Sequence, residues 1–212
     1  MRALALRHIM RNERGGIGLN AIWVCFLVIF LIPFFWDVAS VYYARRFAGT
    51  GSDGGSLAAA QEYARELHYV PEWNGIWYGR CDLGEYTPQQ VVMRYSRLPA
   101  FSAPPGIGYP LALDYAGRNR TTLTNYRSWP EYAGRVVAGV PIPWIVVSTE
   151  TLRHVNTAYD PLYGREFEAP NHALAVAYLW QWHMWPRPCP DSSGNVTYDF
   201  TFEWKVTMDR MR

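Results

Sequence analysis

Side chains able to do chemistry are thinly spread along this chain. The five histidines, His8, His68, His154, His172 and His183, form no H-x-x-x-H, H-E-x-x-H or C-x-x-C-H pattern, which disfavours a helical zinc site and covalent haem attachment. His172 and His183 are the candidates for a ligand contact, but isolated histidines more often make structural hydrogen bonds. No G-x-S-x-G elbow and no Walker A loop occurs, and the glycines of PPGIGYP (104–110) sit among prolines that point to a turn. No acid/base pair stands out, so a hydrolase reading has nothing to rest on. The expectation is a non-enzymatic protein with no cofactor, no metal and no small-molecule substrate.

The three cysteines fall into two settings. Cys25 lies in an apolar run and reads as an inert small hydrophobe. Cys81 and Cys189 both lie further on, where an oxidising compartment would permit a disulfide closing a long loop. Sequence alone does not establish the Cα separation such a bond requires.

Ten tryptophans and fifteen tyrosines in 212 residues exceed what one core normally consumes. Some are expected at a membrane boundary or a protein interface. The candidates for interface contact are Trp73, Trp77, Trp180, Trp182 and Trp185. The charge balance, 20 basic against 18 acidic residues, gives no global field of the kind nucleic-acid binders use.

The element that must position all of this is the apolar run Ile17 to Trp36, IGLNAIWVCFLVIFLIPFFW, which holds Asn20 as its one polar side chain and no charge. Twenty helical residues span roughly 30 Å, the thickness of a hydrocarbon core. Pro33 is expected to kink that helix, and Asn20 could hydrogen-bond across to another helix. Trp36, Asp37, Tyr42 and Tyr43 follow at headgroup depth. Arg2, Arg7, Arg11 and Arg14 precede the run, whereas only Arg45 and Arg46 follow closely, so the positive-inside bias places the N-terminus in the cytoplasm. The run is too long for an ordinary signal peptide and lacks a clean small-x-small site, so it reads as a retained anchor.

Residues 1–16 thus form a basic cytoplasmic segment, 17–47 a transmembrane helix with its outer extension, 48–56 (AGTGSDGGS) a glycine-rich flexible joint, and 57–212 an exported domain. Ser56 is placed to cap a helix over 57–67. VVMRYS (91–96) reads as a strand, 136–148 as two strands broken by Pro141 and Pro143, and 170–182 as a helix. The clearest pattern is the alternation of Val196, Tyr198, Phe200, Phe202, Trp204, Val206 and Met208 with polar residues, a long strand with one wet face. The expected fold is α+β, an antiparallel sheet packed against one or two helices behind an N-terminal membrane helix.

The stretch from Arg14 to Glu62 resembles the N-terminal signature of TadE/TadG-like proteins of tight-adherence pilus systems. Arg14-Gly15, the apolar helix, Asp37, Tyr42-Tyr43-Ala44-Arg45-Arg46 and Leu57-Ala58-Ala59-Ala60 occupy the places of that signature. The resemblance covers about a quarter of the chain. It implies a pseudopilin-like or accessory anchor in a bacterial cytoplasmic membrane, with a periplasmic or extracellular domain that contacts other envelope subunits. Two features depart from it. Asn20 stands where such proteins usually carry Glu, five residues after the processing glycine, and a glycine-rich joint stands where they tend toward continuous helix. An accessory single-pass subunit of a large electron-transfer complex, respiratory or photosynthetic and binding no cofactor itself, is the alternative.

Overall fold

The computed structural model describes residues 13–68, 87–132, 134–155, 157, 167–189 and 194–209. The elements are helix α1 (Glu13–His68), helix α2 (Pro88–Tyr95), a 3-10 turn (Pro99–Ser102), helix α3 (Pro105–Arg118), and strands β1 (Thr122–Glu131), β2 (Val136–Val137), β3 (Val140–Pro141), β4 (Trp144–Val155), β5 (Phe167–Pro188) and β6 (Val196–Asp209). Strands β1, β4, β5 and β6 form one antiparallel sheet in that order, and β2 pairs with β3 in a small hairpin. This is an α+β fold with a long apolar N-terminal helix.

Contacts divide the chain into two units, Met1–Tyr43 with Val155–Phe167, and Ala44–His154 with Glu168–Arg212. In the first, the N-terminal part of α1 is long and apolar enough to cross a membrane. Its large side chains lie open, from Ile22 at 58% exposure through Phe30 at 70% to Trp36 at 66%. Pro33 lies inside the helix, which runs on past it. Phe30, Phe34, Val38 and Val41 form one wall of an apolar groove that Phe167 also lines.

In the second unit the glycine-rich segment 48–56, expected from its composition to be a joint, is uninterrupted helix. Ser56 caps nothing, and its hydroxyl donates back to the Asp53 carbonyl at 3.1 Å. The reason is packing. Ala44, Ala48, Ser52, Ser56, Ala59, Ala60, Tyr63 and Leu67 recur at helical spacing and are buried. Small residues along this stripe let the helix backbone come close to the sheet. Thr149 Oγ1 donates to the Ser52 carbonyl and Thr151 Oγ1 to the Ala48 carbonyl, both at 2.8 Å. The sheet meets this stripe with Ala173, Ala175 and Ala177, also buried.

Helix α3 crosses α1 on a second set of small residues. A Cβ added at Gly55 would lie 3.3 Å from the Ala112 carbonyl oxygen, and one at Gly108 would lie 2.8 Å from Ala59 Cβ and clash with the Tyr126 hydroxyl. Gly55 and Ala59 on α1 thus meet Ala112 and Gly108 on α3 in antiparallel order, while Gly51 meets Thr121 just beyond α3. The PPGIGYP segment that reads as a turn opens α3 instead, with Pro105 in its first turn.

Two further expectations are reversed. Residues 91–95 fall in helix α2 with Ser96 as its C-cap, and at the other end Thr87 and Gln90 form a reciprocal capping box with Pro88 in the first turn. These start signals outweigh the β-branched pair Val91-Val92. Residues 170–182 form strand, because Ala169, Ala173, Ala175, Ala177 and Leu179 line one face and alternate with larger residues on the other. Their alanines meet the close-packed helix and are not a sign of helix. Of the two strands read in 136–148, the first is the β2–β3 hairpin, turning at Ala138 and Gly139 with φ of 48° and 79°. β4 starts after Pro143. The strand read at 196–208 is β6.

Beyond the small stripe the core is filled by rings. Tyr95 stacks on Phe202 at 3.9 Å and meets Phe101 edge-on, and Phe200 stacks in line with Phe202. Trp204 Nε1 donates to the Tyr95 hydroxyl at 2.9 Å, and that hydroxyl donates to the Leu67 carbonyl at 3.2 Å.

Two predictions follow from this packing. Gly108→Ala should cost about 1–3 kcal/mol through overpacking, whereas Gly106→Ala in the same helix, with nothing within 4 Å, should gain about 0.5 kcal/mol from helix propensity. Thermal unfolding of the detergent-solubilised chain compares the two. Burial pushes the Tyr95 phenol above its ordinary 10.0. Its neutral form is favoured in the folded state, so stability is intact below pH 10 and falls above it, by about 1.4 kcal/mol per pH unit. Tyr95→Phe should flatten that alkaline decline while costing about 1–2 kcal/mol at neutral pH, measured by denaturant titration across pH.

Candidate functional site

Side-chain alternation assigns the two faces of the sheet. Ile145, Val147, Thr149 and Thr151 of β4 point toward α1, so Trp144, Val146, Ser148 and Glu150 point away from it. Cross-strand register puts Trp129 beside Val146 and Arg127 beside Ser148 on that outward face. From β5, Tyr178 meets Trp144 edge-on at 6.3 Å and Trp180 meets Tyr178 at 6.4 Å. Lys205 of β6 sets its ammonium 3.8 Å over the Trp180 ring. Trp129, Trp144, Tyr178 and Trp180 therefore share one outward face across three strands, with Trp129 and Trp180 each 38% exposed.

Further along β5, His183 stacks on Trp185 at 5.9 Å, and Trp185 is half exposed. A β-bulge between Leu179 and Gln181 allows Trp180, His183 and Trp185 to share the outward face despite their mixed spacing. Trp182 points the other way, pairing with Phe202 and packing against the core. Of the expected interface aromatics, Trp180 and Trp185 lie on the outward face and Trp182 on the inward one. Trp73 and Trp77 lie outside the described residues.

Trp129, Trp144 and Tyr178 were not singled out from sequence. Tyr178 lies in a segment whose alanines read as helix, and the other two become neighbours only through strand register. Nor does sequence link Ser148 to His172. Ser148 Oγ and His172 Nε2 are 2.7 Å apart, a polar tie from β4 to β5 on this same face.

Cys189 is disulfide-bonded and Cys25 is free and exposed. The partner that sequence offers, Cys81, lies outside the described residues. Cys189 N–H donates to the Asn195 carbonyl at 2.9 Å, closing the turn between β5 and β6. Asn20, Trp36, Tyr42 and Tyr43 are exposed on α1, with the two tyrosine rings edge-on at 6.2 Å. Asp37 lines the apolar groove of the first unit.

Gly49, Gly51 and Gly54 have the spacing of a phosphate-binding G-x-G-x-x-G turn, but they lie in the middle of α1. Their N–H groups belong to the helix ladder and are not offered to an anion. Among the described residues no group of three or more His, Cys, Asp or Glu is arranged to hold a metal ion. What the site offers is contact area: a row of half-exposed rings edged by Arg127, Glu150, Glu203 and Lys205. Rings give such a surface large contact area at low entropic cost, and the rim supplies hydrogen-bonding groups. Compared with protein-family models, curated proteins and solved structures, the chain matches none.

Proposed function

We propose that this chain is a non-enzymatic, membrane-anchored structural or assembly protein of the TadE-like type. Its exported domain binds other envelope or pilus subunits through the outward sheet face. The observation that carries the reading is the unbroken course of α1. Arg14-Gly15, the apolar run, Asp37, the Tyr42–Arg46 element and the alanines 57–60 all lie on one helix, the continuous course toward which proteins of that kind tend. The glycine-rich segment, which reads as a departure from that pattern, is helical and removes one objection to it.

The N-terminus lies in the cytoplasm on the distribution of arginines, and the domain lies across the membrane from it. Asn20, in place of a carboxylate, favours the second reading, an accessory single-pass subunit of a large membrane complex. An amide there can bond a neighbouring helix without the charge that pilin-like docking uses.

Native membranes extracted in mild detergent and captured on this chain should yield pilin and secretion components by mass spectrometry. Replacing Trp129, Trp144 and Trp180 by Ser should leave the circular dichroism unchanged and reduce recovery of those partners at least about tenfold, as loss of interface anchors does. Stoichiometric recovery of redox subunits instead would replace the pilus reading with the accessory one.

A further inference from the structure

We propose that a collar of arginines around α1 at residues 45–48 docks on the phosphates of anionic phospholipids in the bilayer that the helix crosses. The inference rests on the membrane-anchored reading above and adds a second membrane contact, made by the folded domain. Ala44 and Ala48 are buried toward the sheet, and the rest of that turn is Arg45, Arg46 and Phe47, all exposed. At about 100° per residue, the two arginines and the ring take three different sides of the helix.

The fold brings Arg153 to the same level and sets the backbone of Arg120 beside it. Arg153 of β4 lies over the Phe47 ring at 4.3 Å and donates Nη1–H to the Asn119 carbonyl at 3.3 Å. Arg120 follows directly, exposed, and held in the left-handed region at φ 53°. That conformation is unfavourable for a non-glycine residue. It is fixed by bonds from Arg120 N–H to the Gly117 carbonyl and from Thr121 N–H and Oγ1 to the Ala116 carbonyl.

Arg45 and Arg46 on the helix and Arg153 over Phe47 thus share one helical turn, with Arg120 the next residue after the Asn119 carbonyl that Arg153 holds. Nearby charges are already matched elsewhere: Arg118 pairs with Asp114 at 2.7 Å, and His154 faces Glu168 at 3.7 Å. Among the described residues no carboxylate pairs with Arg45, Arg46, Arg120 or Arg153.

Position along the helix identifies the partner. The exposed apolar surface of α1 continues through Val38 to Tyr42 and Tyr43, rings of the kind that settle among headgroups. Arg45 and Arg46 follow Tyr43 by a rise of roughly 3–5 Å. Lipid phosphates occupy that depth, and the planar guanidinium fork donates two parallel N–H bonds to their oxygens. The collar meets headgroups whichever leaflet it faces.

The test uses the full chain in vesicles of phosphatidylcholine, alone or mixed with phosphatidylglycerol, with spin-labelled forms of each lipid reporting which one sits at the protein. At low salt the native chain should enrich phosphatidylglycerol by about fivefold, and salt should weaken this. Replacing Arg45, Arg46, Arg120 and Arg153 by Gln should remove most of it, and replacing them by Lys should keep most of it. The N-terminal arginines contribute equally to all of these proteins, so the difference between variants is the readout. Arg45→Gln with Arg46→Gln alone, both on the exposed helix surface, should lower enrichment with the circular dichroism unchanged. Enrichment undiminished by the Gln replacements would overturn the proposal. Failure of the native chain to float with phosphatidylcholine vesicles would instead remove the anchor, and the collar with it.

Discussion

The second unit depends on how closely helix α1 approaches its sheet. Two threonine hydroxyls of β4 reach helix carbonyls at 2.8 Å, a geometry available only where both surfaces are built from small side chains. On the helix these are Ala48, Ser52 and Ser56; on the sheet they are Thr149, Thr151 and the alanines of β5. Ser52 and Thr149 are fully buried, and the Thr149 hydroxyl is satisfied by the Ser52 carbonyl. Enlarging any member would separate the layers and leave these hydroxyls without partners, which makes the contact cooperative.

This constraint distributes the large side chains. The stripe of α1 along 48–60 that faces β4 and β5 meets small side chains, and rings collect in two other places. One is the core formed by Tyr95, Phe101, Phe200, Phe202 and Trp204, beside Tyr63 and Leu67, where α1 itself carries larger residues. The other is the outward sheet face, where Trp129, Trp144, Tyr178 and Trp180 have room. The aromatic surplus of the composition thus becomes a surface, and the partner contact proposed for that surface rests on the same packing rule that shapes the core.

Much of the architecture was legible in the sequence, and its failures share a cause. The alternation in β6 is plain because one face meets the core and the other meets water. In β5 the inward residues are alanines, whose helix propensity hides a period of two. Glycines 49, 51, 54 and 55 suggest flexibility when read locally, whereas their role is set by Asn171, Thr121, Tyr115 and Ala112, each at least 57 residues away in sequence. The start of α2 could have been found, since Thr87-Pro88-Gln89-Gln90 holds both a capping box and a helix-opening proline. For the candidate site, Trp180 and Trp185 were legible as types, but the row they join required the register of β1, β4 and β5. The arginine collar was legible only in Arg45 and Arg46, because Arg120 and Arg153 arrive through tertiary contacts.

The most direct measurement is amide hydrogen exchange across residues 48–56 in the full chain reconstituted in a bilayer. Helix packed on the sheet predicts protection there comparable to that of buried β4, with the slowest exchange on the side bearing Ala48, Ser52 and Ser56. Exchange at the rate of an unstructured peptide would mean that the glycine-rich segment is a joint after all, and would contradict the close packing on which the account rests.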